Sequence, residues 1–155
     1  MQESFMRRAV ALSLENVRDG KGGPFAALIV SNDRIIAEGV NLVTATNDPT
    51  AHGEIMAIRA ACRAEGRFHL NGCEMYATCE PCPMCLGAIY WARLDKVFFA
   101  GTRRDAAEAG FGDEWIYAEL VKPLWRRRIP MVQFMREEAV AAFREWRGKD
   151  DRIEY

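Results

Sequence analysis

Two short segments of the sequence combine residue types and spacings that suit a metal site. His52 and Glu54 lie two residues apart, and Cys82 and Cys85 follow thirty and thirty-three residues after His52. One imidazole nitrogen and two thiolates form the ligand set of a tetrahedral zinc ion with one open position, which is typical of catalytic zinc sites. Glu54 would lie close to that position and move protons without binding the metal. The pattern predicts a zinc-activated water molecule beside a proton carrier.

The two cysteines are predicted to lie at the start of a helix. In a helix beginning near Pro81, Cys82 and Cys85 are three positions apart and share one face. Proline suits the first helical turn, because its missing N–H would have no partner there. A helix N-terminus also lowers the pKa of a thiol, and the thiolate is the form that binds metal.

The order H-x-E and then P-C-x-x-C is the signature of zinc nucleobase deaminases. The chain resembles the cytidine/deoxycytidylate deaminase superfamily, and within it is most similar to the small bacterial guanine deaminases. The zinc motif points only to the superfamily. Segment 105–111 and the C-terminal tyrosine are what make the chain resemble the guanine deaminases within it. The resemblance extends over nearly the whole chain and rests on Asn41 and on the segments GGPF at 22–25, NDPTAH at 47–52, CEPCPMCLGAIYWAR at 79–93, DAAEAGF at 105–111 and EY at 154–155.

This resemblance implies a zinc-dependent hydrolysis of guanine to xanthine and ammonia. His52, Cys82 and Cys85 would bind one zinc ion per subunit, which carries the attacking water or hydroxide. Glu54 would transfer the proton of that water to a ring nitrogen and then to the departing amine. Asp113 would be a second carboxylate of the pocket that helps ammonia to leave.

The resemblance also assigns the contacts with a small nucleobase substrate. The amide of Asn41 would hydrogen-bond the edge of the base, and the aromatic side chains of Phe25 and Trp91 would lie around its flat ring. The backbone N–H of Gly53 would point at the substrate. Gly53 departs from the family, which usually has alanine there, and the loss of a methyl group beside the ring is expected to shift the substrate or admit a bulkier one.

Tyr155 ends the chain, where a residue is usually frayed. In similar guanine deaminases the C-terminal tail crosses to the partner subunit and seals its active site. The resemblance therefore implies a homodimer in which the segment from about 137 to 155 is exchanged, so that Tyr155 excludes both water and polynucleotide from the partner's site.

Other interpretations of the metal-site residues remain open. Cys82 and Cys85 also match the thioredoxin-like redox motif, but that function leaves His52 and Glu54 unexplained. Cys79 forms a second C-x-x-C pair with Cys82, and a fourth ligand there would close the site and make it structural. The resemblance makes Cys79 a non-ligand, which suits its place at the end of a predicted strand.

Two rival functions accompany the guanine hypothesis. The first keeps the chemistry and changes the substrate to adenosine in tRNA, cytosine or an aminated ring such as a triazine. The second is a non-catalytic module stabilised by zinc. The tail at Tyr155 argues against tRNA, and Glu54 argues against the module, because a purely structural site has no use for that carboxylate.

Composition indicates one ordinary domain over residues 1–155, since half of the residues are apolar and 28% are charged. A net charge of −1 gives no field that attracts a polyanion, which weighs against nucleic acid as a partner. The run at 125–128, WRRR, is interpreted as a solvated face rather than an RNA patch. No stretch has the length and hydrophobicity of a membrane span or signal peptide. Five cysteines without such a signal suggest reduced thiols and a cytoplasmic enzyme.

Hydrophobic periodicity predicts alternating helices and strands, which is the pattern of an α/β domain with helices on both faces of the sheet. The later strands are expected to be parallel, because a helix crosses between them. The fold class is a three-layer α/β/α sandwich of the cytidine deaminase-like type, with a mixed central sheet of about five strands. The predicted elements are helix 4–18, strands 24–30 and 34–39, loop 41–49, helix 52–65, strand 73–78, helix 82–92, strand 96–100, helices 103–109 and 114–121, strand 131–134 and helix 136–147.

Overall fold

The central strand β1, Ala26–Ser31, has the continuous apolar sequence AALIV, and these five residues are buried. A continuous apolar run of this length is typical of a strand that is covered on both faces. In the computed structural model, which describes residues 2–154, β1 pairs antiparallel with β2, Arg34–Val40, and on its other side with β3, Cys73–Cys79. The predicted hairpin between β1 and β2 is confirmed.

The sheet has the order β2-β1-β3-β4, and β4, Lys96–Gly101, runs parallel to β3. The mixed sheet and the parallel later strands are as predicted. Residues 2–154 contain four strands rather than about five, because residues 131–134 form no strand. A strand persists only where a neighbouring strand completes its hydrogen bonds, and residues 131–134 pair with none of the four strands.

Helices cover both faces of the sheet, which confirms the three-layer α/β architecture. On one face, α1, Glu3–Arg18, buries Phe5, Ala9 and Leu12 in a cluster with residues of β1 and β3. On the other face, α3, Gly53–Glu65, and α4, Pro83–Trp91, contribute to a second cluster with the opposite side chains of the same strands.

Gly39 allows α3 to approach the sheet closely. A Cβ atom at Gly39 would lie 2.3 Å from both the backbone nitrogen of Ala57 and the backbone oxygen of Gly53. No side chain fits in this space, so the glycine lets α3 rest directly on β2. The contact fixes the N-terminal end of α3, where His52 and Glu54 lie.

The start of α4 differs from the sequence prediction. The helix begins at Pro83, not near Pro81, and Cys82 is its N-cap with an extended backbone. The residue before a proline is pushed away from helical dihedral angles, so Pro83 sets this boundary. Pro83 then occupies a first-turn position, where its missing N–H costs no hydrogen bond.

Two further helices, α2 and α5, are short. The segment 41–49, predicted as a loop, contains a one-turn helix, α2, at Val43–Thr46. After β4, α5 spans Arg103–Glu108 and begins with a capping box, in which Thr102 and Asp105 each bond the other's backbone N–H. Such a box satisfies two of the free N–H groups at a helix start.

The chain divides into two compact units, one up to Glu114 and the other from Trp115 onward. Around and within the second unit, the structure has α6 at Glu114–Leu120, a 3₁₀ helix at Leu124–Arg126 and α7 at Arg136–Gly148. Within this unit the guanidinium of Arg128 lies over the ring of Trp115, 5.8 Å from its centroid. Among residues 2–154, no helix combines the length and hydrophobicity needed to cross a bilayer.

Candidate active site

His52, Cys82 and Cys85 come together as the sequence predicted. Nδ1 of His52 lies 3.7 Å from Sγ of Cys82 and 3.5 Å from Sγ of Cys85, and all three ligating atoms lie within 4.8 Å of one another. A tetrahedral zinc with Zn–N near 2.0 Å and Zn–S near 2.3 Å requires N···S separations of about 3.6 Å. Both measured N···S distances therefore match those around a zinc ion.

A turn ahead of α3 positions His52. Oδ1 of Asp48 accepts hydrogen bonds from the backbone N–H of Thr50 at 2.8 Å and from its hydroxyl at 2.7 Å. The backbone N–H of His52 then donates to the carbonyl oxygen of Thr50 at 2.8 Å. Side-chain-to-backbone bonds of this kind are how Asp and Thr stabilise turns. They explain locally why the NDPTAH segment presents an imidazole at the start of a helix.

The two thiols differ in acidity because they are hydrogen-bonded to each other. The hydrogen bond from Cys85, followed by that of His52, lowers the pKa of Cys82 to about 4. The same thiol–thiolate bond, together with burial, raises the pKa of Cys85. The hydrogen bond to Cys82 also raises the pKa of His52. These hydrogen bonds favour a thiolate at Cys82, which is the form of cysteine that binds metal.

Cys79 does not join the ligand group. Its thiol donates to the carbonyl oxygen of Thr102 at 3.5 Å, and burial raises its pKa to about 11. Within residues 2–154, the cluster able to hold a metal consists of His52, Cys82 and Cys85 alone. The position of the Cys79 sulfur, outside this group and bonded to Thr102, leaves three protein ligands for a metal ion.

Glu54 is the second residue of α3, and only 7% of its surface is exposed. Burial raises the pKa of its carboxyl, and the negative charge of Cys82 acts in the same direction. A carboxyl group in this place could accept a proton from a water molecule at the site. The role of Glu54 as proton carrier stays a prediction.

The ligand group and Glu54 open onto a cavity of about 290 Å³ that lies within the unit ending at Glu114. Both apolar and polar side chains line it, so the cavity can hold a small ligand that has an apolar face and polar groups. The lining residues are Gly23, Phe25, Asn41, Val43, Thr44, His52, Glu54, Cys79, Glu80, Cys82, Arg103, Ala106, Phe111 and Asp113.

Asn41 and Phe25, both predicted to contact the substrate, lie in the cavity wall. Oδ1 of Asn41 accepts hydrogen bonds from the backbone N–H groups of Gly23 and Val43, each at 3.2 Å. These two bonds determine how the amide is oriented. The ring of Phe25 meets that of Phe111 edge to face, with 5.0 Å between centroids, which gives the cavity an apolar side.

Asp113 is also part of the cavity wall, although it reads as an ordinary loop carboxylate in the sequence. Its Oδ1 is buried and has no hydrogen-bond partner among residues 2–154. Burial raises the pKa of this carboxyl, and the charge of Cys82 adds to the effect. A buried oxygen without a protein partner is costly, so Asp113 is suited to a polar group of a bound ligand.

Two other residues predicted to contact the substrate, Trp91 and Gly53, do not line the cavity. Trp91 ends α4, is 69% exposed and does not line it, so its contact with the ring stays a prediction that the geometry of one chain does not support. A Cβ atom on Gly53 would meet the backbone of Ala26 at 3.0 Å, so the missing methyl faces the sheet rather than the ring. Tyr155 lies outside the described residues.

Sequence reasoning missed an ion pair in the cavity wall. Glu80 accepts three hydrogen bonds from Arg103: from Nη2 at 2.8 Å, from Nε at 3.2 Å and from the backbone N–H at 3.1 Å. These bonds lower the pKa of Glu80. Glu80 adjoins the cysteine motif, which was a usable signal. Nothing in the sequence around Arg103 indicates its partner.

Comparison with known proteins agrees with this geometry. Residues 1–101 match the family model of the cytidine and deoxycytidylate deaminase zinc-binding region. The guanine deaminase of Bacillus subtilis is 53% identical over 153 residues, which cover 99% of this chain and 98% of the relative. Its X-ray structure superposes with a TM-score of 0.97 and covers 100% of this chain and 99% of that one, at 52% identity.

A second relative is more distant and matches a shorter part of the chain. The tRNA-specific adenosine deaminase of Aquifex aeolicus is 37% identical over 116 residues, which cover 75% of this chain and 74% of the relative. The family model, the arrangement of His52, Cys82 and Cys85 and the α/β/α fold lead to one conclusion. The chain belongs to the cytidine and deoxycytidylate deaminase family.

Proposed function

We propose that this protein is a zinc-dependent aminohydrolase that converts guanine to xanthine and ammonia. The observation that carries the proposal is the full-length similarity to the guanine deaminase of Bacillus subtilis, which covers 99% of this chain. The similarity to the tRNA-specific adenosine deaminase of Aquifex aeolicus covers only 75% of it. The resemblance to the guanine enzyme thus includes the C-terminal part of the chain as well as the zinc-binding region.

His52, Cys82 and Cys85 would hold the zinc ion. When bound there, zinc lowers the pKa of a water molecule to near 7 and so supplies a nucleophile at neutral pH. All five cysteines are free. Free thiols suit a reducing compartment, and we propose that the enzyme acts in the cytoplasm.

Glu54 would carry the protons of the reaction. Its carboxylate would take one proton from the attacking water and deliver it to a ring nitrogen of guanine. It would then take the second proton, from the hydroxyl that this water forms on the ring carbon, and pass it to the exocyclic amine, so that ammonia leaves as the C–N bond breaks and a carbonyl remains. Burial, which raises the pKa of Glu54, helps the carboxyl to act in both directions. Proton transfer by a positioned side chain is typically worth about 10²–10⁴ in rate.

Asp113 and Asn41 would orient the base. The buried Oδ1 of Asp113, which lacks a partner within residues 2–154, would accept a hydrogen bond from the amino group that leaves. The amide of Asn41, already oriented by Gly23 and Val43, would bond the edge of the ring. The ring of Phe25 would lie against the flat face of the base, and the backbone N–H of Gly53 stays a proposed contact.

Release of ammonia from a panel of substrates tests this function. The panel contains guanine, adenine, cytosine, guanosine, an aminotriazine and a tRNA with adenosine at the wobble position, each with and without a zinc chelator. We expect turnover of guanine that the chelator abolishes and added zinc restores. Turnover of tRNA without turnover of guanine would replace the proposed substrate, and zinc binding without any turnover would favour a structural module.

We further propose a homodimer in which the C-terminal segment, about 137–155, crosses to the partner. Two features of the chain support the proposal. Large apolar side chains are exposed in the second unit, a surface that usually needs cover. Within residues 2–154, β4 has a strand partner on one edge only. The most exposed of these side chains are Val121, Trp125, Ile129, Val132 and Phe134.

Complementation between two inactive variants tests the exchange. One subunit carries Glu54→Gln and the other Tyr155→Ala, and the two are unfolded, mixed and refolded with zinc. If Tyr155 closes the partner's cavity, each mixed dimer regains one site with both Glu54 and Tyr155, so activity returns. Light scattering should give the mass of two chains. A monomer, or a mixture that stays inactive although Tyr155→Ala alone is impaired, would disprove the exchange.

A further inference from the structure

Asn16 is a buried polar residue that no step of the proposed reaction uses. It lies in the last turn of α1, and only 2% of its surface is exposed. Its Nδ2 donates hydrogen bonds to the backbone oxygens of Gly23 at 3.0 Å and of Asn41 at 2.9 Å. Both of those residues line the cavity, whereas Asn16 does not. The buried amide of Asn16 thus holds together two segments of the cavity wall that are distant in sequence.

The two segments held by Asn16 are also bonded to each other. The backbone N–H of Gly23 donates to Oδ1 of Asn41 at 3.2 Å, and the backbone N–H of Asn41 donates to the carbonyl oxygen of Phe25 at 2.9 Å. Gly22 permits this close approach, because a Cβ atom there would lie 2.2 Å from the backbone oxygen of Asn41. Asn16, which does not line the cavity, adds two further hydrogen bonds to this network.

The side-chain oxygen of Asn16 makes no hydrogen bond with residues 2–154. This oxygen, Oδ1, is buried. An apolar side chain would avoid this cost on the buried face of α1. The presence of an amide there is therefore explained by the two bonds that its nitrogen donates, and a buried group that costs stability marks a functional constraint.

We propose that Asn16 is a positioning residue for the substrate. By holding the backbones of Gly23 and Asn41, it determines the direction in which the Asn41 amide meets the edge of the base. The identity of that base rests on the proposed function, but the effect on the wall does not.

Two substitutions and one matched control test the role. Asn16→Ala removes the donor, and Asn16→Asp keeps the shape but turns an acceptor towards two carbonyl oxygens. Ser13→Ala is the control, since Ser13 is another buried polar residue on α1. We expect Asn16→Ala to raise KM for guanine about fivefold, the factor that corresponds to one net hydrogen bond of ~1 kcal/mol, with kcat almost unchanged. Asn16→Asp should raise KM further, and Ser13→Ala should not.

Hydrogen exchange of the zinc-loaded protein, followed by mass spectrometry, gives a second readout that needs no substrate. Amides in segments 20–25 and 41–44 should exchange faster in Asn16→Ala than in the wild type or in Ser13→Ala, while zinc content stays at one per chain. A wild type that fails to deaminate guanine would refute the proposed function, whereas exchange would still test whether Asn16 holds the two segments of the cavity wall. Unchanged exchange in the two segments would overturn it. So would a joint fall of kcat, zinc content and melting temperature without a rise in KM, which would show a purely structural role.

Discussion

His52 and Cys82 hold the same position in their respective helices: each is the N-cap, with an extended backbone, and their ligating atoms lie 3.7 Å apart. An N-cap side chain projects towards the free N–H groups of the first helical turn, where negative charge is stabilised. At the start of α4 the side chain of Cys82 makes such a contact, because the backbone N–H of Cys85 donates a hydrogen bond to Sγ of Cys82 at 3.5 Å. Two helix starts that face each other therefore bring the imidazole and the thiolates together.

The assignment of ligands predicts that Cys82→Ser loses zinc and Cys79→Ser does not. A hydroxyl oxygen at position 82 is a poor substitute for a thiolate, whereas the thiol of Cys79 is bonded to the carbonyl of Thr102. Atomic absorption of the purified variants should show about one zinc per chain for Cys79→Ser and far less for Cys82→Ser. Equal loss of zinc in both variants would mean that Cys79 is a ligand.

Replacement of the proton carrier predicts loss of turnover with retention of metal. Glu54→Gln keeps the size of the side chain and removes its ability to accept a proton. We expect kcat to fall by about 10²–10⁴ while zinc content and melting temperature stay close to those of the wild type. Full turnover in a zinc-loaded Glu54→Gln protein would remove Glu54 from the mechanism.

The buried oxygen of Asp113 predicts a smaller effect at a second carboxylate. Asp113→Asn removes the charge that would bind the departing amino group, and we expect kcat to fall about 10- to 100-fold, as for one charged hydrogen bond. The neighbouring Glu114→Gln is the control, because Glu114 is exposed and does not line the cavity. If kcat falls equally in both variants, the fall comes from the loss of a negative charge near the cavity and not from the loss of a contact with the substrate.

The direction of the missing methyl at Gly53 predicts a change in stability rather than in specificity. In Gly53→Ala, the new Cβ would meet the backbone of Ala26 at 3.0 Å. Overpacking costs about 1–3 kcal/mol, and the gain in helix propensity offsets about 1 kcal/mol of it. Urea unfolding should therefore show a net loss of about 1 kcal/mol. Relative activities on guanine and larger rings should not change.

Gly87→Ala is the matched control for that experiment. Gly87 also lies in a helix, α4, but a Cβ atom there has no other heavy atom within 4 Å. The substitution should stabilise the protein by about 1 kcal/mol through helix propensity alone. A change of substrate range in Gly53→Ala would restore the earlier expectation that the methyl lies beside the ring.

The predictable parts of the site are those that depend on short stretches of chain. The spacing of Cys82 and Cys85 predicts a shared side of one helix start, although the predicted start near Pro81 was wrong and the helix begins at Pro83. The alternation of helices and strands predicts the α/β layers, because burial of an apolar face depends on local periodicity. The helix at Val43–Thr46 was missed, since four residues are too few for a periodic signal.

The sequence by itself determined which atoms can bind zinc, because the types and the spacing of His52, Cys82 and Cys85 belong to short stretches of chain. The carboxylate that it predicts as proton carrier, Glu54, stays a prediction. The tertiary structure alone decided that Cys79 turns to Thr102, that Glu80 pairs with Arg103, and that Gly53 faces the sheet. Each of these contacts joins residues more than twenty positions apart. Such pairs meet only when the strands have taken their order in the sheet, and no local pattern encodes that order.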